Sequence, residues 1–292
     1  MNMTTPHLDQ ALGIIISGRN ARGRLVRLGP VMEEILSAHG YPPVIEALMA
    51  EALVVTALLG AMLKDAGGQL TMQAQTEDGP VSLLVCDYKA GAIRGYVKHE
   101  ADRIAALPKS PTLQDVFGKG YLAITFDQET SGERYQGIVP LEGASLAAAV
   151  ESYFFQSEQI PSLVRVSVEG DVAGGILLQH LAEGEEGRER LHTKLDHPEW
   201  EHVAIMGNSI RPAELADPAL PLEDIAWRLF HEEEEIRTLG LIELSKGCRC
   251  NAAHIEDVIA RFPDGERAEM AGDDGKITVD CEFCARKFLV NP

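Results

Sequence analysis

Apolar residues change their spacing several times along the chain, and each change predicts an element. Leu12 to Val31 starts apolar, passes through the Gly- and Arg-rich stretch Gly18-Arg19-Asn20-Ala21-Arg22-Gly23, and resumes at Leu25-Val26-Arg27-Leu28. That pattern predicts two strands joined by a turn. Tyr41-Pro42-Pro43 then opens Val44 to Lys64, rich in Ala, Leu, Met and Glu. Proline at a helix start and this composition predict one long helix. Gln69 to Gln75, Val81 to Tyr88, Ala92 to Lys98 and Tyr121 to Asp127 are short, β-branched or alternating, and bounded by turn signals, so they predict successive strands. Ser145 to Gln156 returns to helical spacing through Leu146, Val150, Tyr153 and Phe154. The economical summary is an α+β domain with an antiparallel sheet and helices, followed by a helical linker region and a small C-terminal metal-binding module.

The pattern breaks near residue 181. Ala182-Glu183-Gly184-Glu185-Glu186-Gly187-Arg188-Glu189-Arg190 has almost no large apolar side chain and reads as the exit from a first domain, 1–181. Residues 182–238 then read as a linker holding Pro198, Pro212, Pro218 and Pro221 and one clear amphipathic segment. There Leu222, Ile225, Ala226, Leu229 and Phe230 fall at i, i+3, i+4, i+7 and i+8, one apolar helix face opposite Glu223, Asp224 and Arg228. Such a face must cover something apolar; if the C-terminal module, 239–292, folds against it, melting of that module removes the helix's partner. His231-Glu232-Glu233-Glu234-Glu235 lacks the second histidine of a zincin helix and is expected to be a solvated acidic face.

Composition narrows the function. With 292 residues, 45% hydrophobic and 24% charged, the chain suits a full core plus an appended module. Lys+Arg 26 against Asp+Glu 45 gives a net charge of -19, which repels phosphate backbones and anionic lipid, so neither nucleic acid nor membrane is an expected partner. The same charge favours solubility. The start, Met1 to Gln10, has no basic and apolar succession of a secretory signal, and the apolar run Ala52 to Leu63 is shorter than the roughly 20 residues a bilayer requires. A cytoplasmic protein is expected. No Gly-x-Ser-x-Gly, P-loop or His-Glu-x-x-His motif is present, so an enzyme is not expected.

The cysteines carry the chemistry. Cys248-Arg249-Cys250 and Cys281-Glu282-Phe283-Cys284 are two close pairs separated by thirty residues. Each pair can grip one side of a tetrahedral ion, and four thiolates suit one Zn²⁺. A module this small has little core of its own, so the metal supplies most of its folding free energy. Spacing alone also fits a closed, inert zinc ribbon. Thiolates are, however, the form that peroxide attacks, and both spacings allow a short-range disulfide. A thioredoxin-type role for Cys281 and Cys284 alone is the weaker alternative, since no βαβ setting surrounds them. Cys86, in the apolar run Val81-Ser82-Leu83-Leu84-Val85-Cys86, reads as a core thiol.

These pairs, in order, spacing and position, resemble the zinc-binding pattern of the heat shock protein 33 family of redox-regulated, ATP-independent holdase chaperones. Further segments are similar to that family: Tyr41-Pro42-Pro43-Val44, Tyr135-Gln136-Gly137-Ile138-Val139-Pro140-Leu141, Tyr153-Phe154-Phe155-Gln156-Ser157-Glu158-Gln159 and Gly174-Gly175-Ile176-Leu177-Leu178-Gln179. The polar Ser245-Lys246-Gly247 departs from it, because an aromatic or aliphatic residue is expected before the first pair. The resemblance implies a reduced, zinc-bound, inactive state and an oxidised, zinc-free, active one. It further implies disulfides Cys248 with Cys250 and Cys281 with Cys284, an unfolded linker, a homodimer built from N-terminal domains, and unfolding client proteins as partners.

Overall fold

In the computed structural model, residues 7–63, 67–130, 132–181 and 197–292 are described. The expected domain exit at 182–190 lies outside them. The chain begins with β1 (Gln10–Ile16), a 3₁₀ turn at Ser17–Arg19, and β2 (Ala21–Leu28), then α1 (Pro30–Leu36) and α2 (Pro43–Gly60). Next come β3 (Gln69–Thr76), β4 (Val81–Lys89) and β5 (Ala92–His99), the short α3 (Ala101–Ala105) and α4 (Leu113–Phe117), and β6 (Gly120–Asp127) and β7 (Arg134–Pro140). Helix α5 (Leu146–Tyr153) runs into a π-helical turn at Phe154–Glu158 and precedes β8 (Ser162–Glu169) and β9 (Val172–His180). Helices α6 (Pro198–Asn208), α7 (Pro212–Ala216) and α8 (Leu222–Phe230) follow, then β10 (Ile236–Glu243), β11 (Ser245–Lys246), α9 (Ala252–Ile259), α10 (Asp264–Met270), β12 (Ile277–Asp280) and β13 (Lys287–Val290).

Two sheets organise this α+β fold. The five-stranded sheet has order β10-β1-β2-β9-β8 and is antiparallel throughout; the six-stranded sheet has order β11-β5-β4-β3-β6-β7, with only β11 and β5 parallel. Helix α2 lies between them, in contact with β2, β8 and β9 on one side and β3, β4 and β5 on the other. This explains why it is apolar almost all round: residues from Ile45 to Gly60 are nearly all buried. Long and apolar enough to cross a membrane by composition, it is instead the core of the molecule. Its approach to the five-stranded sheet is close. A Cβ on Gly175 in β9 would lie 2.6 Å from Val54 Cγ1, so glycine there lets helix and strand meet. Cys86 is fully buried in the same core, its Sγ 3.6 Å from Met49 Sδ, and burial pushes its thiol pKa up, as suits an inert core residue.

The five-stranded sheet is apolar on its other face as well. Leu12, Ile14, Ile16, Leu25, Ile176 and Leu178 form a second core with Trp200, Val203, Leu215, Leu220 and the whole apolar stripe of α8. The run Ile14-Ile15-Ile16 follows from burial on both sides. This corrects one expectation: the stripe Leu222, Ile225, Ala226, Leu229 and Phe230 covers strands β1 and β2 and the neighbouring part of β10 with Ile236, not the cysteine-bearing part of the C-terminal module. The expected boundary at 238/239 falls inside β10, which pairs with β1 from Gln10–Glu243 to Ile16–Ile236.

Polar contacts fasten this helical layer. Arg27, on β2, is wholly buried, and its guanidinium donates to the carbonyls of Leu215 (2.9 Å), Leu220 (2.6 Å) and Glu214 (3.1 Å). Burial lowers its pKa to about 10, so it stays charged at neutral pH. The acidic run also departs from expectation. His231, Glu232, Glu234 and Glu235 are exposed, but Glu233 is nearly covered, paired with Arg19 (2.8 Å) and His202 (2.7 Å). It ties the end of α8 to the 3₁₀ turn and to α6.

Replacing Arg27 with methionine leaves the carbonyls of Leu215, Leu220 and Glu214 without their donor, at about 1–3 kcal/mol for an unsatisfied buried group, partly offset because no charge is then buried. The expected result for R27M is a urea midpoint lower by the equivalent of roughly 2–4 kcal/mol, with amide exchange accelerated first over residues 198–230. An unchanged midpoint would show that Arg27 does not hold the layer.

Candidate metal centre

The first cysteine pair is positioned by a strand the sequence did not reveal. Leu244 is buried against the main core, and Ser245 to Gly247 run parallel to β5 through Ser245 N to Gly91 O (3.0 Å) and Gly247 N to Ile93 O (2.8 Å). This accounts for the polar Ser245-Lys246-Gly247: the segment docks through its backbone, the apolar anchor sits one residue earlier, and a Cβ on Gly247 would lie 2.4 Å from Ala92 Cβ. Lys246 Nζ also reaches Glu34 of α1, at 3.1 Å from its carbonyl and 3.3 Å from its carboxylate. Cys248 and Cys250 follow immediately.

The second pair sits in the tight turn of the β12–β13 hairpin. Cys281 O accepts from the amides of Cys284 (3.2 Å) and Ala285 (2.8 Å), while Cys281 N donates to Arg286 O (2.9 Å). Ala285 adopts φ 53, a left-handed conformation unusual for alanine, which turns the chain so that both sulfurs face the same point. The pair does not open a helix, as a thioredoxin-type motif would.

All four thiols are brought together, partly buried. The Sγ atoms lie within 4.8 Å of one another, with Cys248–Cys250 at 3.2 Å, Cys248–Cys281 at 3.5 Å and Cys250–Cys284 at 3.4 Å. Zn–S bonds of about 2.3 Å place sulfurs about 3.8 Å apart at the vertices of a tetrahedron. The donor set and separations therefore fit a four-thiolate ion after an expansion of a few tenths of an ångström. Burial opposes ionisation of Cys248, but the Cys250 amide and the thiols of Cys250, Cys284 and Cys281 bring it down to about 7. Burial and then the neighbouring sulfurs, Cys248 foremost, push Cys250 up, and burial dominates the rise at Cys281. One thiolate is easily formed, and several together require a cation.

The thiols are also the core of their module. Helices α9 and α10 bury no residue, and beyond Leu244, which belongs to the main core, Ile277 and Val290 are its buried apolar side chains among the described residues. The second cysteine turn is held to the six-stranded sheet by Phe283, which sequence reasoning did not single out although it sits between Cys281 and Cys284. Its ring packs edge-on to Tyr96 (4.9 Å) and beneath the guanidinium of Arg94 (3.8 Å), while its carbonyl accepts from His39 Nε2 (3.3 Å). Arg94 is fixed by Asp87 (2.6 Å), and Asp87 by Thr71 (2.7 Å). Arg249 reaches Gln69 Oε1 at 2.5 Å.

The fold and the site together define a two-sheet α+β protein with a C-terminal four-thiol module capable of holding a metal ion. The family model described as Hsp33 protein matches residues 9–291. The 33 kDa chaperonin of Caulobacter vibrioides is 38% identical over 283 residues, 93% of this chain and 91% of that protein. Those of Shewanella frigidimarina and Salmonella typhi are 37% and 35% identical, covering 94% and 98% of this chain and 90% and 93% of theirs. The crystal structure of the 33 kDa chaperonin homologue of Thermotoga maritima superposes with TM-score 0.77 at 21% identity, over 97% of this chain and 95% of that one, and shows the shared fold. The chain belongs to the Hsp33 family, a family of chaperones.

Replacing Phe283 with alanine removes an edge-to-face pair and a cation–π contact, together roughly 1–3 kcal/mol. Amide exchange over Ile277–Val290 in F283A is expected to quicken by about 10- to 100-fold while the four thiols remain titratable, the fold-change corresponding to that energy. Unchanged exchange would place the docking energy elsewhere.

Proposed function

We propose that this protein is a redox-regulated, ATP-independent holdase of the cytoplasm, inactive when reduced and zinc-bound and activated by oxidation of Cys248, Cys250, Cys281 and Cys284. The observation that carries this reading is the convergence of all four sulfurs in a module with almost no other core. Bound zinc would hold the sulfurs as thiolates and stabilise the module. Peroxide oxidises each pair in turn: one thiolate attacks a peroxide oxygen to give a sulfenic acid and hydroxide, and its partner thiolate attacks that sulfur and expels a second hydroxide, so that each disulfide consumes one peroxide and, with two protons taken from solvent, yields two waters. The pairing within Cys248–Cys250 and within Cys281–Cys284 follows the family resemblance and suits the 3.2 Å contact of the first pair. Four sulfurs locked in two disulfides carry no charge and can no longer hold a divalent cation.

The switch reaches the linker through the chain itself. With 1–181 as core and dimerisation domain, 182–238 as linker and 239–292 as redox module, loss of the module withdraws β11 and Leu244, and β10 then loses its C-terminal anchor. Strand β10 is largely exposed and held to the molecule by its pairing with β1. Its departure uncovers the edge of β1, and loosening of α6–α8 uncovers the apolar sheet face beneath, surfaces suited to unfolding clients. A homodimer of N-terminal domains is the active form this reading assigns. The net charge of -19 suits a protein that must stay dispersed while carrying apolar clients, and disfavours nucleic acid and membrane as partners.

Two measurements test the reading: aggregation of a heat-labile client, and zinc released with thiols lost. Peroxide with mild heat is expected to release stoichiometric zinc, remove four thiols and switch on suppression of aggregation in the absence of ATP. Equal suppression by reduced and oxidised protein, suppression by neither, or zinc that stays bound with all thiols intact would overturn it and leave an inert zinc ribbon.

A further inference from the structure

A second group of metal-ligating side chains stands far from the cysteines, where β9 ends and α6 begins. His180, the last residue of β9, is almost completely buried within the five-stranded sheet. His197 occupies the position just before α6, without a side-chain capping bond, and Glu199 lies in the helix's first turn. One donor atom from each falls within 4.8 Å of the other two. Glu199 Oε2 is the hub, 3.9 Å from His180 Nε2 and 3.8 Å from His197 Nδ1. The two imidazole rings face each other with centroids 4.8 Å apart, and Trp200 lies behind His180 at 6.3 Å.

These distances are those of a metal cradle slightly expanded. Ligand bonds of about 2.0–2.2 Å put tetrahedral donors about 3.3–3.6 Å apart, a closure of a few tenths of an ångström from the two Glu199 separations, with the two histidine donors within 4.8 Å of each other. The carboxylate is held by Asn20, whose Nδ2 donates to Glu199 Oε2 at 3.0 Å; Asn20 is itself locked in a left-handed turn with φ 45. Such an outer hydrogen bond orients a ligand carboxylate while leaving its other lone pairs free. Two imidazoles and one carboxylate favour zinc and its transition-metal neighbours over calcium or magnesium, which take oxygen donors.

We propose that His180, His197 and Glu199 form a second binding site for a divalent transition cation, and that the ion clasps α6 to the end of β9. The ligands belong to two elements that meet only by tertiary packing, and His180 and His197 bracket residues 181–196 in the sequence. A cation bound to all three therefore fastens the start of the helical layer to the sheet, on the side remote from β10. The site contains no sulfur, so thiol oxidation leaves its ligands intact. It is independent of the four-thiol centre.

The test uses the reduced full-length chain and metal alone. After equilibrium dialysis against zinc chloride, the wild-type protein is expected to hold one equivalent more than H197A and E199Q. Cobalt(II) added beyond the first equivalent is expected to give ligand-field bands without the near-ultraviolet thiolate charge-transfer band, and H197A and E199Q are expected to lack that signal. His180 is buried, and its removal can disturb the fold; the more accessible His197 and Glu199 carry the test. Zinc is also expected to slow amide exchange over residues 198–208 in the wild type and not in H197A. No extra equivalent, an extra equivalent retained by both variants, or a thiolate-type spectrum for it would overturn the site. Bound metal with unchanged exchange of α6 would overturn the clasp.

Discussion

The structure depends on covering a sheet that is apolar on both faces. On the inner side the five-stranded sheet shares α2 with the six-stranded sheet, and that core is closed. On the outer side the sheet's apolar residues are protected by α6, α7 and α8, whose own apolar residues are too few and too one-sided to form a separate core. Neither layer is stable alone in water. Each fully buried Leu, Ile or Phe contributes about 1.5–3 kcal/mol, so the stripe of α8 is a large term set against the ordering entropy of a segment interrupted by prolines. Arg27 sharpens the dependence. A guanidinium buried beneath this layer, bonded to carbonyls and not to a carboxylate, is stable only while the layer is in place.

The module carrying the thiols rests on the other sheet, and the two dependencies meet in one stretch of chain. Residues 236–247 pair first with β1 of one sheet and then with β5 of the other, with Leu244 buried at the crossing. In the proposed switch a change in the module would thus be transmitted as the loss of a strand's anchor, not as the loss of a helix's partner. On the near side Phe283 is gripped by Arg94 and Tyr96, and Arg94 by Asp87, so the second cysteine turn is registered on a rigid part of the sheet.

Much of this was legible in the residues, for reasons that also mark the limit. The cysteine pairs announce their chemistry because thiolates at close spacing have few other uses, and the three dimensions bring together the four that the spacing picked out. Helix α2 and strands β3 to β6 follow their periodicity. The apolar stripe of α8 was equally plain, yet its partner was not: periodicity says that a face is buried and is silent about what buries it. Strand β10 was missed because an exposed edge strand, Ile236 to Glu243, has no half-buried alternation to display. Strand β9 lies where glycines and a two-sided burial blur the period, while β8 was missed although it alternates as Val164-Arg165-Val166-Ser167-Val168-Glu169. Glu233 looked like its exposed neighbours because Arg19 lies 214 positions away. Phe283 was in view between Cys281 and Cys284, but nothing in its spacing points to Arg94 or Tyr96.

The unequal construction of the two outer layers sets an order of events for the proposed switch. The C-terminal module has two exposed helices and a hairpin of two four-residue strands around the thiols, so in the proposed switch loss of metal and thiolates removes nearly all that orders it. The helical layer shares its apolar core with the sheet it covers and adds the Arg27 contacts and the Glu233 contacts to Arg19 and His202, none of which involves a cysteine. Oxidation therefore acts directly on the module, and on the layer only by releasing β10 and opening the flank beside α8. The layer that remains is weakened at one edge and still folded, so full exposure of the sheet calls for a second destabilising influence such as heat. Under the proposed switch such a chaperone would respond to oxidant and to unfolding conditions together, because the oxidant would reach one layer and temperature the other.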